Sequence, residues 1–239
     1  MAYDFPCQDS TNSDFPPEVV CSTDRRILAD WRNSAYEMYV WRRPQFDAKP
    51  FMDYIASLPP PYLKAVNMLT LRVTLGRKRS LLFELDSARD KEIEILGIKT
   101  TSLDMKQIIV GNEGRLLAND IETRLREDLP FIFPRQKEFK IRFRTQTFEP
   151  DIGWHVDSDP VIGYNYGPGG TEYVSWQAVR EADSSYRKVP DRYVDKSQVR
   201  YLQPGDLSIG KNILHRPLTS ESAFNRLWVG ASLPAFIYS

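Results

Sequence analysis

The stretch FKIRFRTQTF, residues 139–148, alternates apolar and polar side chains over its length. Successive side chains of a strand point to opposite faces, so Ile141, Phe143 and Thr145 share one face while Lys140, Arg142, Arg144 and Gln146 share the other. One face is thereby fitted to a core and the other to charge. Further downstream come GWHVD, VIGYNY, GGTEYV, VRYL, DLSIG, NILHR and NRLWVGASLPAFIY, short apolar runs separated by Gly, Pro and Asp turns. Many short strands in the carboxy-terminal half, after a helical beginning, predict an α+β, mainly β chain: a double-stranded β-helix, or jelly roll, with helices packed on its outside.

Upstream, the pattern is longer in period. STDRRILADWRNSAYEMYV (22–40) places Ile27, Leu28, Trp31, Ala35 and Met38 near helical spacing behind a Ser/Thr/Asp cap. KPFMDYIASLPPP and PYLKAVNML read as two short helices closed or opened by proline. LTLRVTL, SLLFEL and QIIVG read as strands, and NEGRLLANDIETRLREDLP returns to helix with Leu116, Leu117, Ile121, Leu125 and Leu129 on one face. Residues 1–22, rich in Pro, Asp and Ser, read as an irregular arm, leaving 23–239 as a single domain. The polar stretch 181–198 reads as a long loop over one mouth of the barrel.

The chain has 239 residues, of which 41% are hydrophobic and 27% charged, a balance that supports a sizeable core. Its 32 basic and 32 acidic residues cancel, so the positive field expected of a nucleic-acid binder is missing. The basic turn GRKRS (76–80) reads as a solvated loop. Cys7 and Cys21 are too few for a disulfide framework. The start, MAYDFPCQDS, lacks the basic and apolar regions of a secretory signal, and no window holds 18 uninterrupted apolar residues. The expectation is a cytoplasmic protein without a membrane or nucleic-acid partner, acting on a small molecule; nothing in the sequence fixes its oligomeric state.

Only two histidines occur, His155 and His215, and the first stands two residues before Asp157. On a strand, residues i and i+2 face the same side, so His155 and Asp157 can reach one ion. Two imidazoles and one carboxylate form the facial set that holds ferrous iron with positions left open. The segment LQPGDLSIGKNILHRPLTSESAFNRLWV, folded as neighbouring antiparallel strands, can return His215 towards His155 and place Arg226 further along the same cavity.

Residues 139–232 thus resemble the core of the iron(II)- and 2-oxoglutarate-dependent oxygenases, marked by His-x-Asp, a distant His and an Arg about ten residues on. The resemblance implies that His155, Asp157 and His215 ligate Fe(II), that Arg226 pairs with the distal carboxylate of the co-substrate 2-oxoglutarate, and that O2 is consumed, most often in a hydroxylation. A planar guanidinium suits that carboxylate because it donates two parallel hydrogen bonds. Many members carry Ser two places after the Arg, where this chain has Trp228. A looser resemblance links VWRRPQFDAKPFMDYIASLP (40–59), WHVD, YNYGPGGTEYV and LHRPL to a bacterial family of unknown function marked by Trp-x-Arg, Phe-His-x-Asp, Gly-Pro-Gly-Thr-Glu-Trp and His-Arg-Ser-Pro.

Beside these stand blander readings. Glu172 and Asp159 are rival carboxylates for the ion, and the glycines of GPGGTEY read as a turn rather than a phosphate cradle. Tyr164 and Tyr166 share a face and either contact the co-substrate or pack in the core. Arg142 and Arg144 either hold a substrate carboxylate or meet solvent. Two other functions compete: a cupin-like metal enzyme that does not use 2-oxoglutarate, and a metal-free jelly-roll module that binds a ligand.

Overall fold

The computed structural model describes residues 19–32, 36–67, 69–86, 102–103, 105–112, 114–145, 153–157, 160–167, 171–180, 188–217 and 226–233. Strand β1 (Val19–Ser22) is followed by a 3-10 helix (Arg25–Arg32), β2 (Met38–Trp41) and the helices α1 (Lys49–Ser57) and α2 (Pro60–Val66). A second block holds β3 (Thr70–Leu75), β4 (Leu81–Leu85), β5 (Ser102–Leu103), α3 (Met105–Ile108) and the long α4 (Gly114–Ile132). Thereafter come β6 (Glu138–Thr145), β7 (Trp154–His155), β8 (Val161–Asn165), β9 (Thr171–Val174), β10 (Lys188–Val189), β11 (Arg200–Tyr201), β12 (Leu207–Gly210), β13 (Leu214–Pro217) and β14 (Leu227–Ser232). The chain is α+β and mainly β.

Nine strands form one sheet in the order β1-β2-β12-β8-β14-β6-β3-β4-β5, and five form another in the order β10-β7-β13-β9-β11. Apart from the parallel β1–β2 pair, the neighbours run antiparallel. The alternation of residues 139–145 is realised in β6. Phe139, Ile141, Phe143 and Thr145 are buried on the helix-facing side of the large sheet, while Arg142 and Arg144 stand on its other, inner side. On the helix side Leu117, Ile121, Leu125 and Leu129 of α4 join Phe139, Phe143, Tyr164, Val229 and Ala231 in one apolar cluster. Leu116 points outward instead.

Trp31 caps that cluster by donating its indole N–H to the Ile132 carbonyl at the end of α4 (3.3 Å). The inner face of the large sheet meets the small sheet through a second cluster, in which Met38 and Val40 of β2 and Val19 and Cys21 of β1 pack on Tyr173, Leu202 and Ile213. A third cluster covers the outer side of the small sheet: Trp154, Val174 and Leu214 are packed under Ala178, Val189, Val194 and Val199.

Several expectations are corrected here. Val19–Ser22 is an edge strand rather than arm, held by its ladder to β2, and residues 1–18 lie outside the described residues. The helical spacing of 22–40 ends at Arg32, and Met38 belongs to β2, because that segment completes the large sheet beside β12. QIIVG is not a strand: residues 105–108 are helical, which buries Met105 and Ile108 against α4. The helix α4 runs on to Ile132, through Pro130. The described part of 181–198, residues 188–198, packs across the outer face of the small sheet instead of bridging a mouth, because its valines fill that apolar surface. No helix among the described residues is long and apolar enough to cross a membrane.

Candidate metal centre

The strands β7 and β13 are neighbours, with His155 and His215 directly opposite each other in the ladder. Period-two alternation then decides the faces. Trp154, Leu214 and Arg216 go to the covered outer side, so the two imidazoles must go inward. Their ring centroids stand 4.4 Å apart at 52°. Asp157 follows His155 by two residues, and its Oδ2 lies 3.4 Å from His215 Nε2. One donor atom from each of the three side chains falls within 4.8 Å of the others.

Each imidazole is oriented by the backbone two residues before it. His155 Nδ1 lies 3.0 Å from the Gly153 carbonyl and His215 Nδ1 lies 3.1 Å from that of Ile213. A carbonyl only accepts, so the ring proton belongs on Nδ1 and Nε2 is left with its lone pair for a ligand. Electrostatics agree with that use for His155. Burial, reinforced by the neighbouring His215, holds the His155 imidazole below its ordinary pKa and therefore neutral. Burial pulls His215 down as well, but the hydrogen bond and charge of Asp157 prevail and raise it. For Asp157 burial acts upward and is outweighed by His215, His155 and Arg142, which keep the carboxylate ionised. Two oriented nitrogens and an anionic oxygen fit a divalent first-row metal, and half-exposed Asp157, with 41% of its side chain accessible, leaves the site open.

The rival Glu172 is removed by geometry. It lies on the outer face of β9, paired with the buried Arg216, which also reaches Asp191 (2.5 Å). Trp154 donates its indole N–H to the same Asp191 (3.0 Å). That group clamps β7, β9 and β13 to the segment above them and so fixes the ladder that carries both histidines. Asp159 lies outside the described residues.

Across the gap, the inner face of the large sheet presents arginines. Arg142 is near enough to Asp157 to lower its pKa, and Arg226, which leads into β14, to act on His215. Burial and the neighbouring Arg144 pull Arg226 itself down to about 10. His155, Asp157, His215, Arg142, Arg144 and Arg226 therefore share one space between the sheets.

Tyr164 and Tyr166 do not, and the expectation that they contact a co-substrate is corrected. Both point to the helix side: Tyr164 joins the cluster packed on α4, and Tyr166 donates its hydroxyl to Asp120 Oδ2 (2.8 Å) and meets Phe51 edge-on. The apolar layer between helices and sheet needed large side chains there. The residues of VIGYNY that face inward are Val161, Gly163 and Asn165.

Trp228 lies opposite Asn165 on one side and Arg144 on the other. Its indole lies over two glycines. A Cβ on Gly230 would come within 2.0 Å of the indole Cη2, and one on Gly163 within 2.6 Å of the indole Nε1. The glycines of β8 and β14 make room for an aromatic floor, a relationship that the single sequence signals only as two glycines in strands.

No family model matches this chain, and no curated protein matches it. Among solved structures it is similar to ycfD of E. coli at 14% identity and a TM-score of 0.35, over 86% of this chain and 52% of that one, so that it spans about half the length of ycfD. It is also similar to the Fe(II)/α-ketoglutarate-dependent dioxygenase TqaL (8% identity, TM-score 0.42, 87% of this chain and 84% of that one). A third likeness is to IDO from Bacillus thuringiensis (13% identity, TM-score 0.42, 87% and 97%). The chemistry of the site stands on its own side chains.

Proposed function

We propose that this protein is an Fe(II)- and 2-oxoglutarate-dependent oxygenase, a hydroxylase of a small molecule, built as one jelly-roll domain from β1 onward. The convergence of one donor atom each from His155, Asp157 and His215 within 4.8 Å carries the reading. The two sheets, antiparallel apart from the β1–β2 pair and in contact through the cluster of Met38, Val40, Tyr173 and Ile213, support the jelly roll.

His155 and His215 would hold the iron through Nε2 and Asp157 through a carboxylate oxygen. With 2-oxoglutarate and dioxygen, ferrous iron supplies an oxidant strong enough to hydroxylate a C–H bond, with succinate and carbon dioxide as co-products. The chain contributes placement and charge. The Arg226 guanidinium, 5% exposed, pairs with the distal carboxylate and is electrostatically relieved by it, because that anion offsets the repulsion from Arg144. Arg142, on the row next to Trp228 and facing Asp157, would orient an acidic group of the substrate. The indole of Trp228 displaces water from the floor of the cavity.

Anaerobic addition of Fe(II) and 2-oxoglutarate to the purified protein should produce a visible charge-transfer band that is lost in His155→Ala. Arg226→Ala should raise the 2-oxoglutarate needed to saturate it. A protein that shows no band and binds iron equally well with and without His155 would refute the proposal.

A further inference from the structure

Asn165 is 1% exposed, faces the inner cavity, and neither its Nδ2 nor its Oδ1 has a hydrogen-bond partner among the described residues. Buried carboxamides are normally satisfied, and one left orphaned in a ligand-free protein costs free energy that a ligand can recover. Its position is specific. It ends β8 directly opposite Trp228, and Arg144 is opposite Trp228 on the other side. One step along, Gly167 packs on the backbone of Arg226, its missing Cβ lying 2.5 Å from the Arg226 Cα. The carboxamide therefore sits on the strand beside Arg226, at the end of the cavity where two guanidiniums repel each other.

We infer that Asn165 is a ligand-binding residue whose carboxamide donates a hydrogen bond to the carboxylate that Arg226 pairs with. The inference rests on the proposed use of 2-oxoglutarate. Trp228, directly opposite, has no hydroxyl to offer, whereas the carboxamide of Asn165 is a donor. A neutral donor suits this place, since a third cation beside Arg144 and Arg226 would add repulsion.

The test compares two 2-oxo acids binding to the manganese(II)-loaded full chain by calorimetry: 2-oxoglutarate, and 2-oxobutyrate, which keeps the chelating end and lacks the distal carboxylate. Asn165→Leu, close to isosteric, should weaken 2-oxoglutarate about tenfold or more while leaving manganese and 2-oxobutyrate unchanged. Asn165→Asp should weaken 2-oxoglutarate further by like charge. If the leucine variant does not fold, Asn165→Ser, polar but too short to reach, gives the same comparison. Unchanged 2-oxoglutarate binding, or equal loss of both acids, overturns the inference while the proposed function stands. A wild-type chain that binds manganese but neither acid overturns both.

Discussion

His155 and His215 oppose each other across a single rung of the β7–β13 ladder, and each is fixed by a carbonyl two residues earlier in its own strand. The pair is thus held by backbone on both sides, and metal affinity should depend on side chains alone. His155→Ala or His215→Ala should lower divalent-metal affinity by more than the ~10–100-fold that loss of an outer hydrogen-bond partner costs. The fold should be kept, as read by circular dichroism and metal titration. Retained affinity in either variant would remove the centre.

Metal binding should also depend on pH in a defined direction. Burial lowers His215 but Asp157 outweighs it, so in the ligand-free protein the imidazolium is stabilised relative to a free imidazole, and any proton on Nε2 must leave before it can bind. His155 is held neutral, first by burial, and adds no such competition near neutrality. Apparent affinity should rise by about tenfold per pH unit below the raised His215 pKa and level off above it. A profile that is flat through about pH 6 to 8 would contradict this.

Gly230→Ala places a methyl group where the Trp228 indole lies, with 2.0 Å between the new Cβ and the ring. Overpacking of this kind should cost ~1–3 kcal/mol. The double variant Gly230→Ala, Trp228→Ala should recover part of that loss, since the obstructed ring is gone. Denaturant melts of the four proteins in the cycle measure it, and strict additivity would mean that the two residues do not meet.

Arg216→Met leaves Glu172 buried on the outer face with its cation removed. Breaking one side of a buried pair costs ~3–5 kcal/mol, and the stability loss should be shared by the segment above, because Arg216 also holds Asp191. Hydrogen exchange of residues 188–199 should accelerate with the fall in stability. Loss of metal binding without loss of stability would instead give Arg216 a part in the centre.

Tyr166→Phe tests the face assigned to that tyrosine. Removing a hydroxyl that donates to the Asp120 carboxylate should cost about 1.5–3 kcal/mol of stability. The 2-oxoglutarate concentration that saturates the protein should not move. A shift there would return Tyr166 to the co-substrate.

Much of this site was legible because it obeys the strand period. Alternation in FKIRFRTQTF put Arg142 and Arg144 opposite the core, and the spacing of His155 and Asp157 is that of two side chains on one face. The approach of His215 to His155 came about differently from the expected pairing of DLSIG with NILHR: β12 lies in the large sheet, and the chain crosses to the small one, where β13 pairs with β7. What a single sequence does not carry is the sign of a face. Tyr164 and Tyr166 were paired with each other correctly and assigned to the wrong side, since nothing within VIGYNY says whether helices or cavity lie above it. Strand QIIVG and helix 22–40 failed for a related reason. Both are apolar at spacings that either structure tolerates, and tertiary contacts with α4 and β12 decided between them.

Of the candidate donors, His155 and His215 stand on the small sheet and Asp157 follows it, whereas Arg142 and Arg144 stand on the large sheet and Arg226 leads into it. Anything that binds at both ends therefore staples two independent walls, and the packing of Cys21, Met38, Tyr173 and Ile213 sets the calliper between them. Enlarging or shrinking that remote spacer would retune the span between the imidazoles and the guanidiniums without altering either set of groups.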